Sequence, residues 1–252
     1  MSINAAYDAQ DVKSIMREER WNQRHARAYD RYRWLSSRQR WRDLLSRELA
    51  DVAVGAELFE VGSGTGFITE ILVSCGYRVQ GIDLSPAMLA RASRNLAAAG
   101  CMNRVRLSVG DAEALDAPSG QVEAVVSRWL LWTLPQPRRA LAEMVRILAP
   151  GGVLVCIDGQ FQEMGAFARW RSALVDMVLT GRLPDWRSPA YSQIKGALPC
   201  LDGPAIANSL QQLGLVDLSF RWLPAKDTDG KVKNWLMGSA WNSYLVSGRK
   251  PK

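Results

Sequence analysis

Two rhythms of apolar and polar residues change places along this chain in a regular order. Short apolar runs at 57–61, 78–82, 104–109, 122–127 and 152–157 read as strands. Between them apolar residues recur at helical spacing, as at Ile68, Ile71, Leu72 and Cys75. This spacing predicts helices over 66–75, from Ser85-Pro86 to Gly100, and over 137–148. Strands that alternate with helices make a mostly parallel sheet with helices on both faces, an α/β architecture.

The rhythm differs at both ends. Residues 1–12 read as loosely ordered, and 14–50 as two helices with a break near Trp34–Ser37. Ser36 or Ser37 is placed to cap the second, which sets Trp41, Leu44, Leu45 and Leu49 on one face. After residue 158 one helix is expected over 161–180, then a proline-rich stretch over 182–204 holding Trp186 and Tyr191. A helix near 204–213 and two strand-like segments, 215–222 and 239–248, complete seven strands. The expected organisation is a helical lid over 1–52 and an α/β domain over 53–252, with a substrate cap inserted at 160–203.

Polar signals recur where strands end. The first strand closes in Glu60 and runs into Gly62-Ser63-Gly64-Thr65-Gly66, the second ends at Asp83, and the third at Asp111. Ligands of open α/β sheets bind at these strand ends. An acid about 20 residues past a glycine turn suits ribose hydroxyls, which is Asp83. Asp111, one strand further out, suits the amine of an attached adenine. The glycine spacing is not that of a pyrophosphate-binding turn. Glu60, two residues before the first glycine, would repel a phosphate and suits an ammonium. Adenosine joined to an amino acid meets these demands. Taken singly, Asp83 also reads as a surface turn acid and Asp111 as an Asx turn.

The runs Glu60-Val-Gly-Ser-Gly-Thr-Gly66, Gly81-Ile-Asp-Leu-Ser-Pro-Ala-Met-Leu89, Gly110-Asp-Ala-Glu113 and Ile147-Leu-Ala-Pro-Gly-Gly152 resemble class I S-adenosylmethionine-dependent methyltransferases, most of all the small-molecule and quinone-methylating branch. One departure is Ala149, where that branch commonly has lysine. The resemblance implies a Rossmann-like fold and S-adenosyl-L-methionine as cofactor, with S-adenosyl-L-homocysteine as product. It places Glu60, Gly62, Ser63 and Gly64 at the methionine half, Asp83 at the ribose, and Leu84 and Met88 beside the adenine. It sets Asp111 and the Ala112 backbone at the adenine edge, Ser127, through its carbonyl, and Arg128 near the amino group and the methyl, and Tyr29 in the covering segment.

The acceptor side is less specified. Trp21, Trp34, Trp129, Trp132, Phe161, Trp170 and Trp186 suggest an aromatic-walled pocket, and His25, Asp158 and Tyr191 are the candidate bases. Each has a plain alternative, as a core aromatic, a surface histidine or a structural carboxylate. The formal charge of +7 admits an anionic partner, but the arginines of 17–47 read as a solvated helix face with snorkelling stems. Four scattered cysteines and one histidine argue against a metal site. No apolar run is long enough to span a bilayer, and the first residues lack a secretory pattern, so the cytoplasm is the default.

The expected activity is therefore methyl transfer to a small molecule by a monomer or homodimer, with nucleic acid an unlikely partner. A methyltransferase acting on RNA or protein and a non-catalytic cofactor-binding protein are the rivals.

Overall fold

The computed structural model describes residues 8–33, 36–161, 166–180, 198–224, 228 and 241–252. Its centre is a seven-stranded sheet. The strands are β1 (Glu57–Val61), β2 (Arg78–Asp83), β3 (Val105–Val109), β4 (Val122–Arg128), β5 (Leu148–Phe161), β6 (Val216–Leu223) and β7 (Trp241–Arg249). Their order is β3-β2-β1-β4-β5-β7-β6. Only β7 runs against its neighbours, pairing antiparallel with both β5 and β6. The order reverses between β1 and β4, which opens a crevice above their C-terminal ends.

The helices are α1 (Ala9–Ile15), α2 (Gln23–Arg33), α3 (Arg38–Glu48), α4 (Phe67–Ser74), α5 (Pro86–Ala98), α6 (Pro137–Ile147), α7 (Ala166–Thr180) and α8 (Gly203–Gln212). A π-helical turn at Met16–Arg20 joins α1 to α2. Alternation along each strand sends side chains into two cores. On one face Leu58, Val126 and Val155 meet Trp41, Leu44 and Leu45 of α3 and Ile68 and Leu72 of α4. On the other, Phe59, Val125 and Leu154 meet Leu141 and Met144 of α6 and Ile206 and Leu210 of α8.

The N-terminal region departs from expectation in three ways. Order begins earlier, because Asp8 caps α1 through Gln10 N and Asp11 N, each at 2.8 Å, and Asp11 returns a bond to the Asp8 N–H. A second break falls at Trp21–Asn22, where the Asn22 side chain takes over the N–H groups of Arg24 and His25, each at 3.1 Å. Finally, α3 belongs to the main core rather than to a separate cover. Its Glu48 receives Arg221 of β6 at 2.5 Å and Ser247 of β7 at 3.1 Å. Ser37 is the cap of α3.

Asp30 of α2 accepts from Arg91 and, at 2.9 Å, from Asn95 of α5, while Asn95 also donates to the Thr65 carbonyl at 2.9 Å. Ser85 Oγ donates to the Trp21 carbonyl at 2.5 Å. These bonds hold the N-terminal helices over the strand ends. On α7, Phe167 is 69% exposed and Trp170 is 63% exposed. Trp170 therefore faces outward and is no pocket wall. Among the described residues, no helix is long and apolar enough to cross a membrane.

Candidate functional site

The crevice opens above β1, β2 and β4. Its floor is the turn between β1 and α4. Ile82 O accepts from Gly62 N at 2.9 Å and from Ser63 N at 2.8 Å, which ties the turn to β2. Gly64 has φ +55°, and a Cβ there would meet only Met88 Cε at 3.6 Å. The space over that backbone is left open for a ligand, which is the use of glycine at such a point.

Glu60 is the penultimate residue of β1 at 3% exposure, with Thr69 Oγ1 donating to its Oε2 at 2.5 Å. Burial pushes its carboxyl up to about 8, and nearby Asp83 adds to this; the Thr69 bond and Arg128 oppose it. Asp83 ends β2. Its Oδ2 accepts from Gly64 N and its Oδ1 from Ser85 N, both at 2.9 Å. Burial pushes its carboxyl up to about 6 against those two bonds. Each Asp83 oxygen keeps a further lone pair for a hydroxyl.

Asp111 lies beyond β3. Its Oδ1 accepts from Glu113 N at 2.9 Å, so the Asx-turn role is real. Its Oδ2 meets Lys13 Nζ of α1 at 2.7 Å, and the same ammonium lies 2.6 Å from Glu113 Oε2. The other Glu113 oxygen accepts from Gln136 N at 2.6 Å. Lys13 is a site residue that the sequence reading missed. Residues 1–12 read as loosely ordered, and nothing local to Lys13 points to a partner 98 residues on.

β4 delivers Arg128 and Trp129. Trp129 has φ 54°, one of two non-glycine residues with positive φ among those described. Its N–H donates to Ile157 O at 2.7 Å. In a regular strand neighbouring side chains point to opposite faces. The left-handed Trp129 ends that alternation, and the Arg128 guanidinium carbon sits 3.5 Å from the Trp129 ring centroid. Such strained backbone is found preferentially at ligand sites.

The crevice gathers Tyr29, Glu60, Gly62, Ser63, Gly64, Asp83, Leu84, Met88, Asp111, Ala112 and Arg128, with Trp21 and Trp129 from the aromatic set. Trp21 and Tyr29 meet edge to face at 6.2 Å. Lys13, Met16, Leu130 and Thr133 also line it and were not foreseen. Ser127, whose carbonyl is the expected contact, is buried between Val61 and Cys156, and its side chain does not line the crevice. Trp132 turns into the protein, where its Nε1 donates to the Trp129 carbonyl at 3.0 Å.

Two candidate bases stand elsewhere. Asp158 is 1% exposed and does not line the crevice. Its oxygens accept from Gly159 N at 2.8 Å and Trp132 N at 3.3 Å, so it organises the loop after β4. Burial pushes it up to about 7 against these bonds. His25 lies on α2, its Nδ1 3.2 Å from Asn22 Oδ1, and is absent from the lining. For Phe161 only the backbone, paired with Trp241, is described. Trp34, Trp186 and Tyr191 lie outside the described residues.

A sequence profile of a methyltransferase domain matches residues 59–156, the stretch from β1 to β5 that supplies the turn with Glu60, Asp83 and Asp111. Over these residues the chain is similar to methyltransferase domains. Among curated proteins, the chain is similar to a phosphatidylethanolamine N-methyltransferase of Cereibacter sphaeroides, 35% identical over 122 residues (48% of this chain and 60% of that protein). A demethylmenaquinone methyltransferase of Desulfitobacterium hafniense is 26% identical over 79% of this chain and 75% of its own length. The first three curated relatives are matched over 60%, 51% and 75% of their lengths.

Among solved structures, phosphoethanolamine N-methyltransferase 2 of Haemonchus contortus superposes with a TM-score of 0.67 at 17% identity, over 96% of this chain and 60% of that one. The cyclase SpnF superposes with a TM-score of 0.59 at 19% identity, over 83% and 80%. At such identities the likeness is one of fold, and the fold alone does not name the reaction.

Proposed function

We propose that the protein transfers a methyl group from S-adenosyl-L-methionine to a small-molecule acceptor. The observation that carries this reading is the placement of Glu60, the open backbone at Gly64, Asp83 and Asp111 along one crevice, in the order of an amino acid, a ribose and an adenine. The residues present fit that group. Asp83 retains acceptor capacity for two hydroxyls, Glu60 suits an ammonium, and Ala112 and Met88 supply apolar surface beside a base.

When bound, the cofactor supplies an electrophilic methyl on a sulfonium, which leaves as a neutral thioether. The chain's own part is placement. Asp83 and Asp111 fix the nucleoside, the turn fixes the amino-acid end, and the aromatic rim of Trp21, Tyr29 and Trp129 keeps water from the reacting centre. Neither Asp158 nor His25 reaches the crevice, so placement rather than proton transfer by these two groups is the protein's contribution. The covering segment of the lid is α1 to α2; α3 is part of the sheet core.

The relatives' acceptors include a phospholipid headgroup and a quinone by name, which supports a small organic acceptor here. The test is incubation of the full chain with methyl-labelled cofactor and fractionated cell extract. The reading expects label in the low-mass or lipid fraction. Label confined to RNA or protein would overturn it.

A further inference from the structure

The helix α7 shows solvent an apolar side. Phe167, Trp170, Leu174, Met177 and Val178 are all exposed, Val178 at 73%. At helical spacing these five positions fall within one stripe about 100° wide that runs along the helix. Phe167 and Trp170 stack at 6.2 Å near its start, and the Arg171 guanidinium carbon lies 5.7 Å from the Phe167 ring centroid. A surface helix ordinarily turns such a stripe toward the core. Contiguous apolar surface left to solvent marks an interaction site.

The neighbouring charge says what the stripe meets. α7 packs against α2. That helix carries Arg24, Arg27, Arg31 and Arg33 against a single acid, Asp30, which is buried and taken by Arg91 and Asn95. Arg24 and Arg27 are exposed, and the whole chain has a formal charge of +7. A second copy of the chain, closing stripe on stripe, would bring like charges together. A nucleic acid would answer the arginines but offers nothing to Leu174, Met177 and Val178. An anionic bilayer answers both, with the stripe below its headgroups and the arginines at its phosphates.

We infer that α7 and α2 form a docking surface for an anionic lipid bilayer, with the stripe of α7 lying in the plane of the interface. At 15 residues α7 is too short to cross. Trp170, with an apolar ring and one N–H, suits the headgroup boundary. The place of these helices in the fold gives the docking a use. β5 runs parallel to β4 and ends at Phe161, on the edge where the crevice opens; α7 begins at Ala166, and Tyr29 of α2 lines the crevice. Docking through α7 and α2 sets the crevice beside the lipid, where an amphiphilic acceptor is at hand. That consequence rests on the methyl-transfer reading above; the docking itself does not.

The test is flotation of the full chain, without donor, on vesicles of phosphatidylcholine alone and of phosphatidylcholine mixed with phosphatidylglycerol. The wild-type chain is expected to bind the mixed vesicles about tenfold or more tighter than phosphatidylcholine, and to be released as salt rises. The double variant Phe167→Ser with Trp170→Ser should lower binding to mixed vesicles by about tenfold or more. Arg24→Gln with Arg27→Gln should lower it by about tenfold and flatten the salt dependence. Either double variant carries the test if the other does not fold.

No flotation of the wild-type chain on mixed vesicles overturns the inference, whether the chain then retains RNA or pairs with itself. Flotation unchanged in either double variant also overturns it, because another surface would then hold the membrane. Donor binding is read separately, by calorimetry with S-adenosylhomocysteine. Its failure would remove the methyl-transfer reading and leave the docking surface standing.

Discussion

Lys13 and Asp111, 98 residues apart, meet at 2.7 Å across the mouth of the crevice. The same ammonium reaches Glu113, whose side chain is 1% exposed. The first helix is thus fastened to the loop beyond β3 by one cation between two carboxylates. Replacing Lys13 with Met leaves the buried Glu113 carboxylate without that cation. The expected cost is about 1–3 kcal/mol in denaturant unfolding, with faster proteolysis at 8–22. A stability within about 0.5 kcal/mol of wild type would show that water replaces the ammonium freely.

Asp83 joins ligand and turn, since Gly64 N and Ser85 N both donate to it. Asp83→Ala is expected to weaken S-adenosylhomocysteine binding by about 1–3 kcal/mol, the loss of charge-assisted hydrogen bonds. Calorimetry reads this directly. Unchanged affinity would place the ribose elsewhere.

Burial pushes Glu60 up to about 8 and Asp83 up to about 6. A carboxyl raised on folding holds its proton more firmly in the folded chain than in the unfolded one. The ligand-free protein should therefore lose stability from these groups as pH rises from about 4 to about 8. A ligand ammonium at Glu60 favours the ionised form. Binding near neutral pH should release a proton and strengthen toward pH 8. Calorimetry in buffers of differing ionisation enthalpy measures that release; buffer-independent heats would contradict it.

Thr69 Oγ1 is fully buried and holds Glu60 at 2.5 Å. Thr69→Val removes this bond at nearly constant volume, which should raise the Glu60 carboxyl further and move the pH dependence of binding upward. A pH profile identical to wild type would show that Thr69 has no part in setting that charge.

Much of this arrangement could be read before the fold was seen, because strands announce themselves. The runs ending at Glu60, Asp83 and Asp111 are short, apolar and regularly spaced, and the parallel sheet sets their ends along one edge. What could not be read is direction. Asp158 also ends an apolar run, yet Trp132 N and Gly159 N draw its carboxylate inward. Trp129 adopts a positive φ with no glycine or asparagine to signal it. Lys13 depends on a contact too distant in sequence for any periodicity to carry. The break at Trp21–Asn22 interrupts an otherwise helical pattern, where the Asn22 side chain competes for backbone N–H groups.

The most direct test of the central claim is isothermal calorimetry of S-adenosylhomocysteine into the full chain at neutral pH. Saturable binding with one site per chain is the predicted result. No measurable binding at high protein concentration would contradict the assignment of this crevice to a methyl donor.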